Sequence, residues 1–373
     1  MPADVAYLDH NATSPIRPAV YDVMVEALKT GGNPSSVHRV GRRARATVEQ
    51  ARRQVAALVG ALPAEVVFTS GGTEANNLAL VGARAKRVIV SAVEHDSVRL
   101  ARSDAKTLPV DGNGVVDLEM LERMLETSGQ PALVSVMFAN NETGVVQPIG
   151  DVVRLARRAG ALVHCDAVQG AGKARVDFHG LGVDYLSLSA HKLGGPTGVG
   201  ALVVSGDTPL TPDRRGGRQE TNRRAGTENV AGIAGFGVAA ELAGQGLAVE
   251  AMRDQLELAL VQIAPGARVF GAGAPRLGNT SCISMPGVPA EIQVMALDLA
   301  GVCIGAGAAC SSGKVQRSAV LAAMGIETAE AETAVRISLG WSTVAGDIER
   351  LIAAWRDLYI RVVRSDIDRA RAA

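Results

Sequence analysis

VVFTSGGTEANNLALVGARA, residues 66–85, decides the architecture. Its first five residues are β-branched, aromatic or small and read as a strand. The glycine pair breaks that strand, and EANNLALVGARA (74–85) reads as a helix. The same unit recurs along the chain. RVIVSAV (87–93) precedes HDSVRLARSD (95–104), and ALVSVMFA (132–139) precedes IGDVVRLARRAG (149–160). ALVHCDA (161–167), DYLSLSA (184–190) and GVGALVV (198–204) are further strand runs. These are continuous apolar runs, not strict alternations, as a parallel sheet covered on both faces requires. Alternating strand and helix predicts an α/β fold.

After residue 246 the pattern changes. AVEAMRDQLELALVQI (248–263) reads as a helix, and short strands are expected near RVFG (268–271) and NTSCISMP (279–286). EIQVMALDLA (291–300), RSAVLAAMG (317–325) and GDIERLIAAWRDLYIRVV (346–363) read as helices. In the last, Ile348, Leu351, Ile352, Trp355, Leu358, Tyr359 and Val362 share one face. The expectation is a large α/β domain over residues 13–246. A smaller α+β domain is expected to combine residues 1–12 with 247–373.

Length and composition bound the rest. The chain has 373 residues, of which 47% are hydrophobic, enough for two cores. Its formal net charge is +0, so nothing advertises a nucleic-acid partner. No apolar run reaches membrane-spanning length without a charge. The N-terminus has no apolar stretch of signal-peptide type, so a cytoplasmic location is expected. Four cysteines (165, 282, 303 and 310) are too few for a disulfide scaffold. They form no C-x-x-C pair, so no metal site is expected from this chain alone.

The chemistry-bearing residues sit at ends of strand runs. SLSAHKLGGPTGVGAL (187–202) carries Ser189, His191 and Lys192 into a glycine turn. A lysine there suits a Schiff-base role, or it is a solvated turn lysine. VHCDAVQ (163–169) puts Asp166 at the end of an apolar strand, as a candidate partner for a pyridine nitrogen or an ordinary helix cap. FTSGGTEANN (68–77) places Gly72 and Thr73 at a helix start, a ready phosphate cradle or a common capped turn. His95 follows a strand and is either a ring-stacking, proton-moving group or a structural histidine. Asn141 in FANNETG (138–144) and Arg336 in VRISLG (335–340) suit capture of a carboxylate. An arginine within an apolar strand needs a partner. Neither Gly172-Lys173 nor Gly313-Lys314 has the glycine and hydroxyl that a nucleotide-binding loop needs. Cys310 lies in GAGAACSSGK (305–314), a run that packs poorly and suits a thiol that must travel. Cys165, Cys282 and Cys303 lie in apolar runs and read as structural.

Together these motifs resemble the cysteine desulfurases, pyridoxal-phosphate enzymes of the class V aminotransferase group. The resemblance runs from LDHNATSP through GNPSSVHRVGR, TSGGTEANNLAL, NNETGVVQPIG, HCDAVQ, SAHKLGGPTGVGAL, GGRQETNRRAGTENV and AACSSGK to VRISLG. It points to the branch serving nitrogen fixation and iron–sulfur-cluster assembly, and departs from it in the GAGAAC loop and the KVQRSAV that follows.

The resemblance implies the type I fold of pyridoxal-phosphate transferases, with a mainly parallel seven-stranded sheet. It implies pyridoxal 5'-phosphate bound covalently to Lys192, stacked under His95, and paired with Asp166 at the pyridine nitrogen. Gln169 would meet the ring oxygen. Gly72, Thr73, Ser189 and His191 would hold the phosphate. Thr227 would reach the phosphate of a second subunit in a homodimer. Asn141 and Arg336 would bind the carboxylate of L-cysteine. Cys310 would take the sulfur as a persulfide and pass it to an acceptor protein such as an iron–sulfur scaffold, releasing L-alanine. A selenocysteine lyase, a transaminase and an inactive sulfur-transfer scaffold are the alternatives. A yellow colour from bound cofactor would exclude the scaffold.

Overall fold

The computed structural model describes residues 5–126, 131–206, 208–307 and 317–372, with side chains up to residue 362. Eleven strands are present among them. They are β1 (Ala6–Tyr7), β2 (Val66–Thr69), β3 (Arg87–Ser91), β4 (Lys106–Leu108), β5 (Ala132–Ser135) and β6 (Leu162–Asp166). The others are β7 (Tyr185–Ser189), β8 (Gly200–Val204), β9 (Thr280–Ser284), β10 (Val302–Cys303) and β11 (Ala334–Ser338).

Seven strands form one sheet in the order β2-β8-β7-β6-β5-β3-β4. β8 runs antiparallel to both its neighbours, and the other neighbouring pairs are parallel. Six strands therefore run the same way, and their carboxyl ends share one edge, where α/β sheets bind ligands. Strands β2, β5, β7 and β8 are buried throughout, matching their unbroken apolar runs. Helices cover them. Ile149–Arg158 buries Ile149, Val152, Val153, Leu155 and Ala156, and keeps Arg157 and Arg158 in its last turn, where the helix dipole favours cations. Val230–Ala243 is apolar on nearly every side. It runs close to two other helices because a Cβ on Gly237 would come within 2.6 Å of Ala51 Cα, and one on Gly235 within 2.8 Å of Met24 Cγ.

A second core is built by both ends of the chain. Ala6 and Leu8 join Leu256, Leu260, Ile283, Val302, Val335 and Ile337. The final helix, Ala345–Ala372, adds Ile348, Leu351, Trp355 and Leu358, members of the expected stripe. β1 pairs in parallel with β10, and β11 pairs antiparallel with β9. Residues just after β1 are thus fastened to the second core while facing the large sheet.

The sheet holds one strand that no apolar run announced. β4 is a three-residue edge strand with Lys106 and Thr107 exposed, so it carries no burial pattern to read. HDSVRLARSD yields only one helical turn, Asp96–Arg99. RVFG is not a strand, since Val269 meets Ile283 through a single bridge.

His164 lies in the middle of β6, fully buried, between Ser135 Oγ at 2.8 Å and Ser187 Oγ at 2.9 Å. Burial pushes its pKa from 6.5 down to about 3. Below pH 6.5 the unfolded chain takes up this proton and the folded chain does not. The stabilisation from the neutral ring is therefore complete above pH 6.5 and is lost as pH falls towards 3. We expect His164→Gln to flatten the fall of unfolding free energy between about pH 6 and pH 5 by roughly 1.4 kcal/mol per pH unit. Urea titrations at several pH values check this, and parallel curves for the two proteins would refute it.

Candidate active site

A cavity of about 750 Å³ opens at the shared carboxyl edge of the sheet. Ten of the residues singled out from the sequence line it: Gly72, Thr73, His95, Asn141, Asp166, Gln169, Ser189, His191, Lys192 and Arg336. Thr227 does not line it and is exposed. Cys310 lies outside the described residues, as does Lys314.

Lys192 follows β7 in the single turn Ala190–Lys192. Its Nζ donates to the main-chain oxygens of Asn11 (2.5 Å) and Ala12 (2.7 Å). Burial, then the Arg336 guanidinium, lowers its pKa to about 8, while Asp9 and Asp166 pull the other way. Roughly a tenth of the amine is then neutral at pH 7, far more than for an exposed lysine. A neutral amine is what a nucleophilic lysine needs.

Asp166 ends β6. Its Oδ2 accepts from Asn76 Nδ2 at 2.7 Å, and its Oδ1 accepts from the Val168 N–H at 3.0 Å. It caps no helix, so the carboxylate is held for the cavity. Glu94 lies close by, fully buried, its Oε1 accepting from Met137 N–H at 2.6 Å. Burial first, and the Asp166 charge second, push Glu94 well above the usual carboxyl range. A second negative charge at Glu94, beside Asp166, is thus disfavoured in a dry site.

His95 caps the helical turn after β3, and its Nδ1 accepts from the Ser97 N–H at 3.1 Å. With that lone pair engaged, Nε2 carries the proton of the neutral ring. His191 contacts Thr13 Oγ1 at 3.2 Å, and burial, then Lys192 and Lys173, lowers its pKa to about 4. It is neutral and able to donate one hydrogen bond. At the helix start, a Cβ on Gly72 would stand 2.9 Å from Val168 Cγ2, so glycine is needed there.

Arg336 has the partner that an arginine in an apolar strand requires. Its Nη2 donates to Asp9 Oδ1 at 2.7 Å, and its Nη1 to the Asn141 main-chain oxygen at 3.3 Å. Its Nε is buried and without a partner among the described residues, as is Asn76 Oδ1. Two orphaned polar atoms on lining residues suit a polar ligand. The whole donor set fits a phosphorylated pyridine aldehyde. A glycine helix start with hydroxyls and an imidazole lies at one end, a fixed carboxylate at another, and an amine of lowered pKa lies on the wall.

Some site residues were not singled out in the sequence. Asn11 is the hub. Besides receiving Lys192, its main-chain oxygen accepts from Gln169 Nε2 at 3.0 Å, and its Oδ1 accepts from Lys173 Nζ at 2.7 Å. Its Nδ2 donates to Thr280 Oγ1 at 2.9 Å, tying the site to β9. Asn11 and Lys192 are 181 positions apart, so no spacing could join them. Asp9 and Asn76 were likewise visible only as parts of quoted motifs, and Glu94 lies between two quoted runs, RVIVSAV and HDSVRLARSD. Cys165 and Cys282 are buried with their thiols pushed up by burial, as structural cysteines should be. Cys303 is half-exposed, 3.7 Å from Asp298 Oδ1.

Comparison with known proteins gives a consistent result. The family model described as aminotransferase class-V matches residues 6–351. A cysteine desulfurase of Cereibacter sphaeroides is 45% identical over 363 residues, covering 93% of this chain and 93% of that protein. An IscS-like cysteine desulfurase of Mycobacterium tuberculosis is 36% identical, covering 99% and 98%. Among solved structures, a NifS-like protein from Rickettsia africae superposes with a TM-score of 0.88 at 35% identity, covering 95% of this chain and 99% of that one.

Proposed function

Because the chain belongs to the class-V aminotransferase family, we propose that its cavity takes L-cysteine and acts as a cysteine desulfurase. The observation that carries this reading is the convergence of ten expected residues on one cavity at the sheet's carboxyl edge. Similarity to cysteine desulfurases over nearly the whole chain supports it.

The family depends on pyridoxal phosphate, and in this chain Lys192 would hold it covalently. Asp166 would meet its pyridine nitrogen, Gln169 its ring oxygen and His95 its face. Gly72, Thr73, Ser189 and His191 would meet its phosphate, with Thr227 serving a second copy in a homodimer. Bound there, the cofactor supplies an electron sink for the amino acid's Cα.

The chain's own residues do the rest. Arg336 and Asn141 bind the substrate carboxylate, and Asp9 fixes the guanidinium from behind. The Lys192 amine holds or moves a proton at Nζ. Cys310 attacks the substrate sulfur as thiolate. A sulfur–sulfur bond forms, the substrate carbon–sulfur bond breaks, and its electron pair with a proton ends as a C–H bond of L-alanine. A persulfide remains on Cys310 for an acceptor such as an iron–sulfur scaffold. A cytoplasmic setting is part of this proposal. Among the described residues no helix is long and apolar enough to cross a membrane. The two cores support a division into 13–246 and 1–12 with 247–373.

The test is product stoichiometry. With L-cysteine and dithiothreitol, the protein is expected to release alanine and sulfide in equal amounts. A keto acid formed without sulfide would replace this reading with transamination.

A further inference from the structure

A buried carboxylate beside the cavity has no part in the mechanism above. Glu142 follows Asn141 and is buried, and its Oε2 accepts from the Ser318 hydroxyl at 2.6 Å. The same oxygen faces Gly307, where φ is +77° and a Cβ would stand 3.2 Å from it. Gly307 precedes the segment that carries Cys310, and Ser318 follows it. One carboxylate oxygen thus meets the chain on both sides of that segment.

Glu142 is itself a fixed post. Its N–H and that of Thr143 both donate to Asn140 Oδ1 at 2.9 Å, and Asn140 Nδ2 donates to the Val93 main-chain oxygen at 3.0 Å. In the same turn the Asn141 main-chain oxygen receives Arg336 Nη1 at 3.3 Å. The turn that steadies the substrate arginine therefore also carries the carboxylate. Ser318 is equally well placed. It caps the helix Ala319–Ala323, its Oγ accepting from the Leu321 N–H at 3.0 Å, which leaves its hydroxyl proton for Glu142.

We propose that Glu142 is a positioning residue for Cys310: through Ser318 and against Gly307 it ties both ends of the Cys310 segment to the turn that steadies the substrate arginine. The inference rests on the reading of Cys310 as the sulfur acceptor.

Chain statistics and electrostatics support the geometry. Eleven positions separate Gly307 from Ser318. A chain of that length can extend to roughly 36 Å, so bringing its ends to one oxygen closes a loop at an entropic cost. Something must hold the closure, and a buried carboxylate is costly to place unless it is bonded. Burial raises the Glu142 carboxyl, and the Ser318 hydrogen bond is the foremost effect opposing it, ahead of the Arg336 and Arg99 charges. A nucleophile held near its target in one orientation reacts faster than one that must search.

The test is a single turnover of the cofactor-loaded protein with L-cysteine, quenched and read as persulfide on the Cys310 peptide by mass spectrometry. Affinity for product is read separately, from the cofactor absorbance as L-alanine is added. In Glu142→Ala, persulfide formation is expected to slow roughly tenfold, the scale of a misplaced reacting group, while L-alanine affinity stays within about twofold. Glu142→Gln keeps an acceptor for Ser318 and is expected to recover most of the rate. Hydrogen exchange gives a readout without turnover. Amides of the peptide 317–324 are expected to exchange roughly fivefold faster in the alanine variant, and at the wild-type rate in the glutamine one. If Glu142→Ala does not fold by circular dichroism, Ser318→Gly takes its place with the same expectation, since glycine is a tolerated helix cap. A wild-type persulfide rate or wild-type exchange in the alanine variant overturns the proposal. So does a glutamine variant as slow as the alanine one, or an L-alanine affinity that falls as far as the rate. A wild type that forms no persulfide on Cys310 would instead overturn the functional reading, and the exchange measurement would still decide the anchor.

Discussion

Lys192→Ala is expected to lower release of alanine and sulfide from L-cysteine by roughly 10³-fold or more, the scale of losing a group that serves as both nucleophile and proton carrier. The purified variant should also lack covalently retained pyridoxal phosphate. Two features of the site make the effect specific. First, the other nearby amine, Lys173, already donates to Asn11 Oδ1 and Gln169 Oε1, and lies behind Gly172 in a constrained turn. It cannot substitute without breaking both bonds. Second, Lys192 is bonded to two main-chain carbonyls, not to a carboxylate. Its removal strands no buried counter-charge, so stability should change by less than about 1.5 kcal/mol, the range of ordinary hydrogen bonds. An unchanged urea midpoint with lost activity supports the assignment. A variant retaining a tenth of wild-type turnover would remove Lys192 from the mechanism.

Cys310→Ala is expected to reduce sulfide and alanine release by roughly 10²-fold or more, as when a covalent nucleophile is deleted, while L-cysteine still perturbs the spectrum of bound cofactor. Chain geometry supports this position. Gly307 lines the large cavity, and Cys310 is three residues further on, within roughly 10 Å along the chain. Gly307 and Arg317, the described residues flanking the segment, also both line a neighbouring cavity of about 210 Å³. The other cysteines cannot replace it. Cys165 and Cys282 are buried with their thiols held protonated by burial, and at Cys303 burial first, then the Asp298 charge, disfavours the thiolate. Retained sulfide release in Cys310→Ala would mean the chalcogen leaves directly, as in a selenocysteine lyase. Mass spectrometry of the wild type after one turnover should show one added sulfur on the Cys310 peptide.

Several expectations differ from the structure for a common reason. A strand buried on both faces announces itself by an unbroken apolar run, which is why β2, β5, β6, β7 and β8 were readable. β4 is a partly exposed edge and needs no such run. The one-turn helix Asp96–Arg99 had the right punctuation, but its continuation was diverted where Arg102 pairs with Asp104 at 2.6 Å.

By itself the sequence determined the alternation of strands and helices and the placing of Asp166, Ser189 and Lys192 at strand ends. Those signals are local: burial imposes apolar runs, and glycine turns punctuate them. Tertiary structure alone decided what each side chain became. Arg336 is 327 positions from Asp9, and Lys192 is 181 from Asn11, yet these pairs set the guanidinium and seat the amine. No periodicity encodes contacts at such separation, because they form only when both ends of the chain fold against the large sheet. The proton states follow the same rule. Lys192, His164 and Glu94 have ordinary affinities in an unfolded chain, and only desolvation with neighbouring charge in the folded site moves them.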